Sequence, residues 1–549
     1  MSKLFVFQTI MFSILALSFI LPSGNYDCIS SICSLHIGNW HMHDALWHIS
    51  LAKLGFTSWP LQNPYMAGEP LTSYNFLLDY LLNILVRLGI SPFFSFFKLL
   101  PIMATILYIF SVLSYIKTIT KNQVKANIVA FFLYFGSSAT YLATLYANHT
   151  LYYASLRGFP VVSVINPTTM FLNIQYALSL SIFLWIILLQ HRPSTWIKNL
   201  LIFVLFFLLF GFKFYGGVVA LAYFVGINIL KGIWGKNYAQ LANLLPGLLG
   251  SYLGLLLFYG LSKSSETPFT WSPFSLTHLM IEDPLLFGNQ YLTLARYYLY
   301  ENMHGFSPRL LAIESLCVVL FLVINFGTRL LGLYYLVRNT INRRVTQEQL
   351  VMGIIILLTV LAPILFVQNG GWYNTMQFLY YGTWLAGLLT AEYVFEKIST
   401  KSHTRWFFFA LVILLTIPNC VEQLRFISEK QTVVEPDEIA MLDVLRKESF
   451  GVVHISESVH KQGLVPALAE KPVYYLDTDQ LMVTHAKYQE RLAFMEKYGG
   501  GSMATVPADY YLIYKQDYGA QVAIVALTSP TQYQIIFESD NIVLYKKIH

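Results

Sequence analysis

Residues 199–234, NLLIFVLFFLLFGFKFYGGVVALAYFVGINILKGIW, are long and apolar enough for either one extended membrane helix or two helices joined by a turn. The segment Gly211–Gly217 interrupts the apolar run with Lys213, and its glycines permit a turn. The choice decides the topology, because one extra crossing moves every later loop to the other side of the membrane. We predict two spans.

A helix that crosses a bilayer needs about 20 predominantly apolar residues. Eleven stretches of the chain are apolar enough to be spans: 4–22, 93–116, 126–146, 173–190, 199–212, 216–234, 238–262, 309–337, 350–367, 375–396 and 406–422. The sequence therefore predicts a polytopic α-helical membrane protein with about eleven transmembrane helices.

The basic residues support this count. With two spans in 199–234, Lys3 shares one side with the cations at 117–125, 192–198, 231–236, 338–344 and 397–405. Cytoplasmic loops carry an excess of Lys and Arg. We therefore expect a cytoplasmic N-terminus. A single span would instead place Arg338, Arg343 and Arg344 outside.

The composition excludes an ordinary soluble protein, since 56% of residues are hydrophobic and only 12% are charged. Aromatic residues, at 16%, are frequent enough to line both membrane interfaces. The net charge of +6 does not indicate nucleic-acid binding, because the cations lie between apolar spans. No small-x-small cleavage site follows the first apolar stretch, so we expect a retained span.

The character of the sequence changes near residue 425, where charged residues become frequent. Strand-like runs occupy Gly451–Ile455, Pro472–Leu476, Tyr510–Tyr514, Gln521–Leu527 and Ile542–Tyr545, and helical patterns fit 436–447 and 484–498. We predict a transmembrane domain over 1–424 and a small α/β domain over 425–549. Eleven spans would make the second domain extracytoplasmic.

The first outer loop, 23–92, contains the segment His41-Met42-His43-Asp44-Ala45-Leu46-Trp47-His48. Helical patterns over 43–55 and 71–89 predict two helices along the membrane surface, with Asp44 and His48 on one face. A carboxylate here can act as a general base or a metal ligand. The alternative is a helix N-cap, since Asp44 precedes an apolar stretch.

Cysteine and histidine usage leaves several readings open. Cys28 and Cys33 share the first outer loop and can pair if that side is oxidising, whereas Cys317 and Cys420 lie in apolar stretches and fit packing roles. Asp44 and the histidines at 36, 41, 43 and 48 are candidate ligands of a Zn²⁺ ion. Imidazoles that hydrogen-bond at a membrane interface are the alternative.

The architecture resembles that of the GT-C glycosyltransferases, which include protein O-mannosyltransferases, aminoarabinose transferases and oligosaccharyltransferases. The likeness covers an N-terminal span, a long first outer loop with an acidic motif, many further spans and an outward C-terminal domain. Within the loop, the resemblance rests on Asp44-Ala45-Leu46-Trp47-His48, Asn63-Pro64, Gly68-Glu69-Pro70-Leu71 and Tyr74.

This resemblance implies transfer of a hexosyl or pentosyl group from a polyprenyl-phosphate-linked donor to a lipid, glycan or protein acceptor on the outer face. It implies that Asp44 is the general base and Glu69 a second acidic residue. Substrate contacts are then expected at His43, Trp47, His48, Tyr74 and His304. The oligosaccharyltransferase WWD-type motif is missing, which argues against transfer to asparagine. The resemblance leaves open whether a divalent metal ion is a cofactor.

A lipid phosphate bound by such an enzyme needs cations near the membrane surface. The candidates are Lys213, Arg157, Arg296 and Arg309. Lys213 is the strongest of these candidates, because a lysine among aromatic residues at membrane depth is energetically costly and indicates a functional role. Snorkelling of Lys213 to water and interfacial anchoring of the arginines are the alternatives.

Two other classes compete with the enzyme. A secondary transporter or lipid flippase places broken helices and charges at the bilayer midplane, often with inverted repeats. The sequence shows no repeat, and its polar residues lie mainly in the outer loops. A non-catalytic assembly protein with a polymer-binding outer domain is the third class.

Overall fold

The structure is a computed structural model. It describes residues 2–18, 20–29, 32–151, 174–234, 236, 238–260, 269–284, 286–302, 307–369, 371–399, 404–428, 431–455, 463–498, 506–516, 524, 527 and 532–548. Two predicted site residues, Arg157 and His304, and most of the predicted strand Gln521–Leu527 lie outside the described residues.

The chain divides into two compact units. The first, here called the helical unit, comprises Met1–Phe19, Pro101–Leu257 and Glu266–Ser428. The second, the mixed unit, comprises Ile20–Leu100, Phe258–Ser265 and Glu429–His549. The predicted boundary near residue 425 divides the chain differently, because it leaves the first outer loop with the membrane spans.

Helices account for most of the described chain. In order they are α1 Lys3–Ser18, α2 Asn39–Leu54, α3 Leu77–Arg87, α4 Pro92–Ile119, α5 Gln123–Phe135, α6 Thr140–Asn148, α7 Ile174–Leu189, α8 Trp196–Phe212, α9 Phe214–Trp234, α10 Leu244–Tyr259, α11 Gln290–Asn302, α12 Pro308–Ile341, α13 Gln347–Leu365, α14 Met376–Ser399, α15 Arg405–Thr416, α16 Pro418–Arg425, α17 Pro436–Lys447, α18 Thr478–Val483 and α19 Gln489–Tyr498. Single turns also form at Ala239–Ala242 and Leu279–Glu282.

Among the described residues, four helices are long and apolar enough to cross a membrane: α4, α9, α12 and α13. The count rises to six if the bent pairs α5–α6 and α15–α16, with bends of 51° and 40°, each form one span. Four shorter apolar helices are α1, α7, α8 and α10. Each of the eleven predicted stretches contains a helix, but the number of crossings stays a prediction.

The stretch 199–234 forms two helices, as predicted. Helix α8 ends at Phe212, Lys213 is extended with φ −157°, and α9 begins at Phe214. The rings of Phe206 and Phe224 lie 5.1 Å apart, whereas one continuous helix would separate these residues by about 27 Å. The helices therefore fold back on each other.

The glycines of this hairpin permit close packing rather than the turn itself. A Cβ atom at Gly216 would lie 2.6 Å from the hydroxyl of Tyr381, and one at Gly217 would lie 2.8 Å from the ring of Phe210.

Three helix breaks meet inside the helical unit. They lie between α5 and α6, at the 3₁₀ turn Gly327–Arg329 within α12, and between α15 and α16. The buried guanidinium of Arg329 donates hydrogen bonds to the carbonyls of Gly136, Asn325 and Phe326, at 3.2, 2.8 and 3.1 Å. Backbone groups freed by a helix break in a membrane need such internal partners.

Asn419, at the start of α16, completes this junction. It is fully buried, and its Nδ2 donates to the Ser138 carbonyl at 2.9 Å and to Thr140 Oγ1 at 2.6 Å. Nearby, the Thr328 and Thr416 hydroxyls are hydrogen-bonded at 2.7 Å. Side chains therefore satisfy polar groups where the helices are interrupted.

The described residues form nine strands in three sheets. They are β1 Asn25–Ile29, β2 Ile32–Ile37, β3 Phe269–Trp271, β4 Phe366–Gln368, β5 Thr432–Val434, β6 Val453–Ile455, β7 Tyr510–Tyr514, β8 Tyr533–Glu538 and β9 Ile542–Lys547. The pair β3–β4 belongs to the helical unit.

One sheet of the mixed unit joins distant parts of the chain. Hairpin β1–β2 carries the disulfide between Cys28 and Cys33, which confirms the predicted pairing. Strand β2 then pairs antiparallel with β5, with Leu35 opposite Val434. The first outer loop and the C-terminal segment thus share one sheet.

The second sheet of the mixed unit has the order β6-β7-β9-β8, with β6 parallel to β7 and the other pairs antiparallel. The predicted strands near 451–455, 510–514 and 542–545 and the helix 436–447 are confirmed. The predicted strand Pro472–Leu476 contributes only a bridge from Val473 to Val453. Strand β8 was not predicted.

We expect Asn419→Ala to lower the free energy of unfolding by about 1–3 kcal/mol, because it removes a donor from buried acceptors. Thermal unfolding of the purified protein in detergent measures the change. Asn342→Ala is the control, since Asn342 is exposed at the end of α12. Equal stability of the two variants would show that Asn419 does not hold the junction together.

Candidate active site

Helix α2 carries the acidic motif of the first outer loop. It begins at Asn39 after the N-cap residue Gly38, so it starts earlier than the predicted residue 43. Asp44 lies inside the helix, and the N-cap alternative for this residue is therefore wrong. A carboxylate in the body of a helix does not cap the backbone N–H groups of the first turn.

One face of α2 is packed into the mixed unit. Trp47 is 2% exposed, and its ring makes edge contacts with Tyr65 at 4.9 Å and with Tyr74 at 5.5 Å between centroids. Trp47, His48 and Tyr74 were predicted to contact substrate. The structure places them in packing and hydrogen-bonding contacts within the unit, and their contact with substrate stays a prediction.

His48 forms a buried hydrogen bond with Asp79, a residue that the sequence did not identify as part of the site. Nδ1 of His48 lies 2.6 Å from Oδ1 of Asp79, in the first turn of α3. Burial raises the pKa of Asp79, while the adjacent His48 opposes the shift. The pair joins α3 to α2 just below the exposed acidic residue.

His43 and Asp44 lie on the exposed side of α2. The Asp44 side chain is 61% exposed, and its Oδ1 lies 3.3 Å from Nδ1 of His43. Asp44 and His48 were predicted to share a helix face, but the first points outward and the second inward. The Asp44 side chain is therefore accessible from solvent, while the opposite face of α2 is packed in the interior of the mixed unit.

The other nitrogen of His43, Nε2, is in close contact with Oδ2 of Asp477. The second oxygen of Asp477 accepts a hydrogen bond from the backbone N–H of Gln480 at 3.1 Å and so caps α18. One imidazole thus bridges two carboxylates from opposite ends of the chain. No local signal identifies Asp477, because its partner His43 lies 434 positions away in the sequence.

This bridge controls the charge of His43. Its hydrogen bond with Asp44, followed by that with Asp477, raises the pKa of His43 to about 10, against the opposing effect of burial. The imidazole is therefore protonated at neutral pH. A positive charge then lies between the two acids.

Glu69 lies in a compact loop, residues 63–71, which contains two of the short segments on which the family resemblance rests. Its backbone oxygen accepts from the N–H of Asn63 at 2.9 Å, and Gly68 adopts φ +79°, which favours glycine. The N–H of Ala67 donates to the carbonyl of Val473 at 2.8 Å. The motif thus fastens the first loop to the C-terminal segment, and the catalytic role of Glu69 stays a prediction.

Lys213 belongs to the helical unit and is 8% exposed. Its ammonium group lies 4.3 Å from the ring centroid of Tyr176. The Tyr176 hydroxyl donates to Oε1 of Gln377 at 2.5 Å. The ammonium group is thus held against an aromatic face, and its binding of a phosphate stays a prediction.

The remaining predicted cations differ in surroundings. Nε of Arg296 lies 2.7 Å from Glu314, and its Nη1 lies 3.2 Å from Glu282. Two carboxylates already balance its charge, so these contacts do not favour phosphate binding by Arg296. Arg309 is exposed in the first turn of α12.

The five residues considered for Zn²⁺ do not converge in the described part of the chain. His48 pairs with Asp79, His43 lies between two aspartates, and His36 is hydrogen-bonded to Ser34 at 3.2 Å. The side chain of His41 is not described. No group of three His, Cys, Asp or Glu side chains in the described residues is arranged to hold a metal ion.

Solved structures share this fold at low sequence identity. The Archaeoglobus fulgidus oligosaccharyltransferase tethered to an acceptor peptide gives a TM-score of 0.51 with 13% identity, over 100% of this chain and 74% of that chain. The complex of this oligosaccharyltransferase with Zn and sulfate gives a TM-score of 0.51 with 14% identity, over 99% of this chain and 73% of that chain. ArnT from Cupriavidus metallidurans bound to undecaprenyl phosphate gives a TM-score of only 0.38 with 8% identity, over 99% of this chain and 97% of that chain.

No protein-family model matches the chain, and no curated protein matches it either. The alignment with the oligosaccharyltransferase spans both units. The chain therefore shares the fold of this oligosaccharyltransferase, which agrees with the architecture expected from the resemblance.

The raised pKa of His43 predicts a pH-dependent contribution to stability. A proton held more tightly in the folded state stabilises it fully below the ordinary pKa of 6.5, and this contribution is lost as the pH rises towards about 10. We expect His43→Gln to destabilise the protein near pH 6 and to have little effect near pH 10. The effect is small because the imidazole is more than half exposed.

Thermal unfolding of the wild type and variant across this pH range measures the difference. His485→Gln, in the same unit, is the control. A stability difference that does not change with pH would contradict a protonated His43 bridge.

Proposed function

We propose that the protein is a membrane glycosyltransferase that moves a sugar from a polyprenyl-phosphate-linked donor to a glycan, lipid or protein acceptor on the extracytoplasmic face. The main support is an exposed aspartate, Asp44, on a rigidly packed helix within a GT-C fold. One solved protein with this fold, an oligosaccharyltransferase, was crystallised with a peptide acceptor. The resemblance supplies the donor class.

Asp44 is proposed as the general base. The acceptor nucleophile attacks the anomeric carbon of the donor sugar while the bond from that carbon to the lipid phosphate oxygen breaks. The leaving phosphate keeps the electron pair, and the proton of the acceptor passes to Asp44. Such proton transfer needs a carboxylate that is open to the acceptor and fixed in position.

The surroundings of Asp44 suit this role. Its carboxylate is mostly exposed, while Trp47 and His48 hold the next turn of α2 in the interior. The protonated His43 contacts Asp44 from the side, and Asp477 holds His43. The imidazolium therefore orients the base. Glu69 is kept as a second acidic candidate on the resemblance alone.

Lys213 is proposed to bind the phosphate of the donor. The departing lipid phosphate gains negative charge during the reaction, and a preorganised cation stabilises that charge. The ammonium group is buried against Tyr176, where water weakens its interactions less than at an open surface. Arg309 and Arg157 are kept as secondary candidates.

The proposed topology places the mixed unit outside, with the N-terminus cytoplasmic. Cations at 117–125, 192–198, 231–236, 338–344 and 397–405 support this orientation. The C-terminal segment then lies on the same side as Asp44 and contributes Asp477 to its surroundings.

We expect Asp44→Asn to lower transfer about 10²–10⁴-fold, since the amide cannot accept the proton. Release of polyprenyl phosphate from lipid-linked sugars, extracted from cells that make the protein, measures turnover. Asp27→Asn is the matched control, because Asp27 is an exposed aspartate on β1 of the same unit. Near-normal turnover by the Asp44 variant would exclude it as the base.

We expect Lys213→Met to weaken binding of a short-chain polyprenyl phosphate while the melting temperature stays close to that of the wild type. Binding to the purified protein in detergent is measured by calorimetry. Lys117→Met removes an exposed lysine from the last turn of α4 and serves as the control. If both variants bind the phosphate as the wild type does, Lys213 has another role.

A further inference from the structure

Helix α11 presents an aromatic surface that the proposed reaction does not use. Tyr291, Leu294 and Tyr298 are 80%, 62% and 65% exposed, and their spacing places them on one face of the helix. Tyr297 and Tyr300 are also exposed, at 45% and 69%. So many large exposed side chains on one short helix mark an interaction surface.

The opposite face of α11 is fixed to the helical unit. Arg296 and Leu299 are buried, and Arg296 pairs with Glu282 and with Glu314 of α12. Glu314 lies in the second turn of α12. Arg296 thus holds α11 beside the beginning of this long apolar helix.

The length of α12 indicates the depth of α11 relative to the membrane, because Arg296 joins the two helices. Even with the 3₁₀ turn Gly327–Arg329, the 34 residues of α12 extend at most about 51 Å, whereas the hydrocarbon core of a bilayer is about 30 Å thick. The basic residues Arg338, Arg343 and Arg344 mark one boundary of the core. Counting about 20 residues back from Arg338 brings the other boundary near residue 318.

Glu314 therefore lies just beyond the hydrocarbon core, at the level of the lipid headgroups. A carboxylate is far less costly there than at the bilayer centre. Because Arg296 binds this residue, α11 lies at headgroup level too. The apolar surface of α12 continues from this point into the membrane, with Leu316 and Val319 exposed at 41% and 54%.

We propose that α11 is an interfacial helix whose face Tyr291, Leu294 and Tyr298 docks into the lipid headgroup layer, with Arg296 as its anchor to α12. Tyrosine suits this layer, since its ring enters the acyl boundary while its hydroxyl meets water and headgroups. The face has no lysine or arginine, so it needs no anionic lipid. Arg296 then has a positioning role in place of the phosphate-binding role.

The test uses single cysteines labelled with a small fluorophore in the full-length protein, reconstituted in phosphatidylcholine vesicles. The native cysteines at 28, 33, 317 and 420 are first replaced by alanine. Labels are placed at Tyr291, Leu294 and Tyr298, with Val319 as the lipid-facing reference and the exposed Lys447 as the aqueous reference. Quenchers are nitroxide lipids in the headgroup region and iodide in water.

We expect nitroxide lipids to cause a loss of fluorescence at 291, 294 and 298, as at 319, while iodide quenches 447 more strongly. Iodide quenching at all three positions equal to that at 447, without loss from nitroxide lipids, would overturn the proposal. The face would then be a water-exposed surface suited to a glycan or a protein.

A second variant tests the anchor. Glu282→Gln removes one of the two carboxylates that hold Arg296 and leaves the lipid-level Glu314 in place. We expect less quenching by nitroxide lipids at 298 in this variant than in the parent. Unchanged quenching at 298 would show that the pair of Arg296 with Glu282 does not hold α11 at the interface.

Discussion

Main-chain hydrogen bonds between the first outer loop and the C-terminal segment are the constraint on which the rest of the structure depends. Strand β2 pairs with β5, and Val473 exchanges backbone bonds with Pro64 and Ala67 at 3.1 and 2.8 Å. These bonds build one compact unit from two ends of the chain. A bilayer cannot pass between paired strands, so both segments lie on one side of the membrane. In the proposed topology the chain between residues 100 and 429 therefore crosses the membrane an even number of times.

This constraint also explains the composition of the candidate site. Because the two segments pair, Asp477 reaches His43 and, through it, the side of Asp44. The C-terminal segment thereby becomes part of the surroundings of the acid. The helix that carries Asp44 is held on its other face by Trp47 and by the His48–Asp79 pair. An exposed acid on a fixed helix is the arrangement that general-base chemistry requires.

Features with a local signature could be predicted from the sequence. Apolar runs located the helices, the Lys213 segment located the break, and Cys28 and Cys33 are close enough in sequence to suggest their disulfide. Helix α17 begins with a capping box of Glu435 and Glu438, which a sequence displays directly. The ten spans predicted between residues 100 and 429 also satisfy the even number that the paired strands require.

Features that depend on distant partners could not be predicted. Asp79 looked like a residue of a surface helix, but it is fully buried against His48. Arg296 looked like a free cation, but it lies between Glu282 and Glu314. Asp477 follows an ordinary apolar run. In each case the decisive neighbour is supplied by the fold, and nothing in the local sequence identifies it.

The most direct test of the account asks whether the two paired segments share a side of the membrane. Single cysteines at Ser58, Lys447 and Lys121, in a cysteine-free background, are exposed to a membrane-impermeant thiol reagent in intact cells and after lysis. The account predicts labelling of 58 and 447 in intact cells and of 121 only after lysis. Labelling of 58 and 447 under different conditions would contradict it.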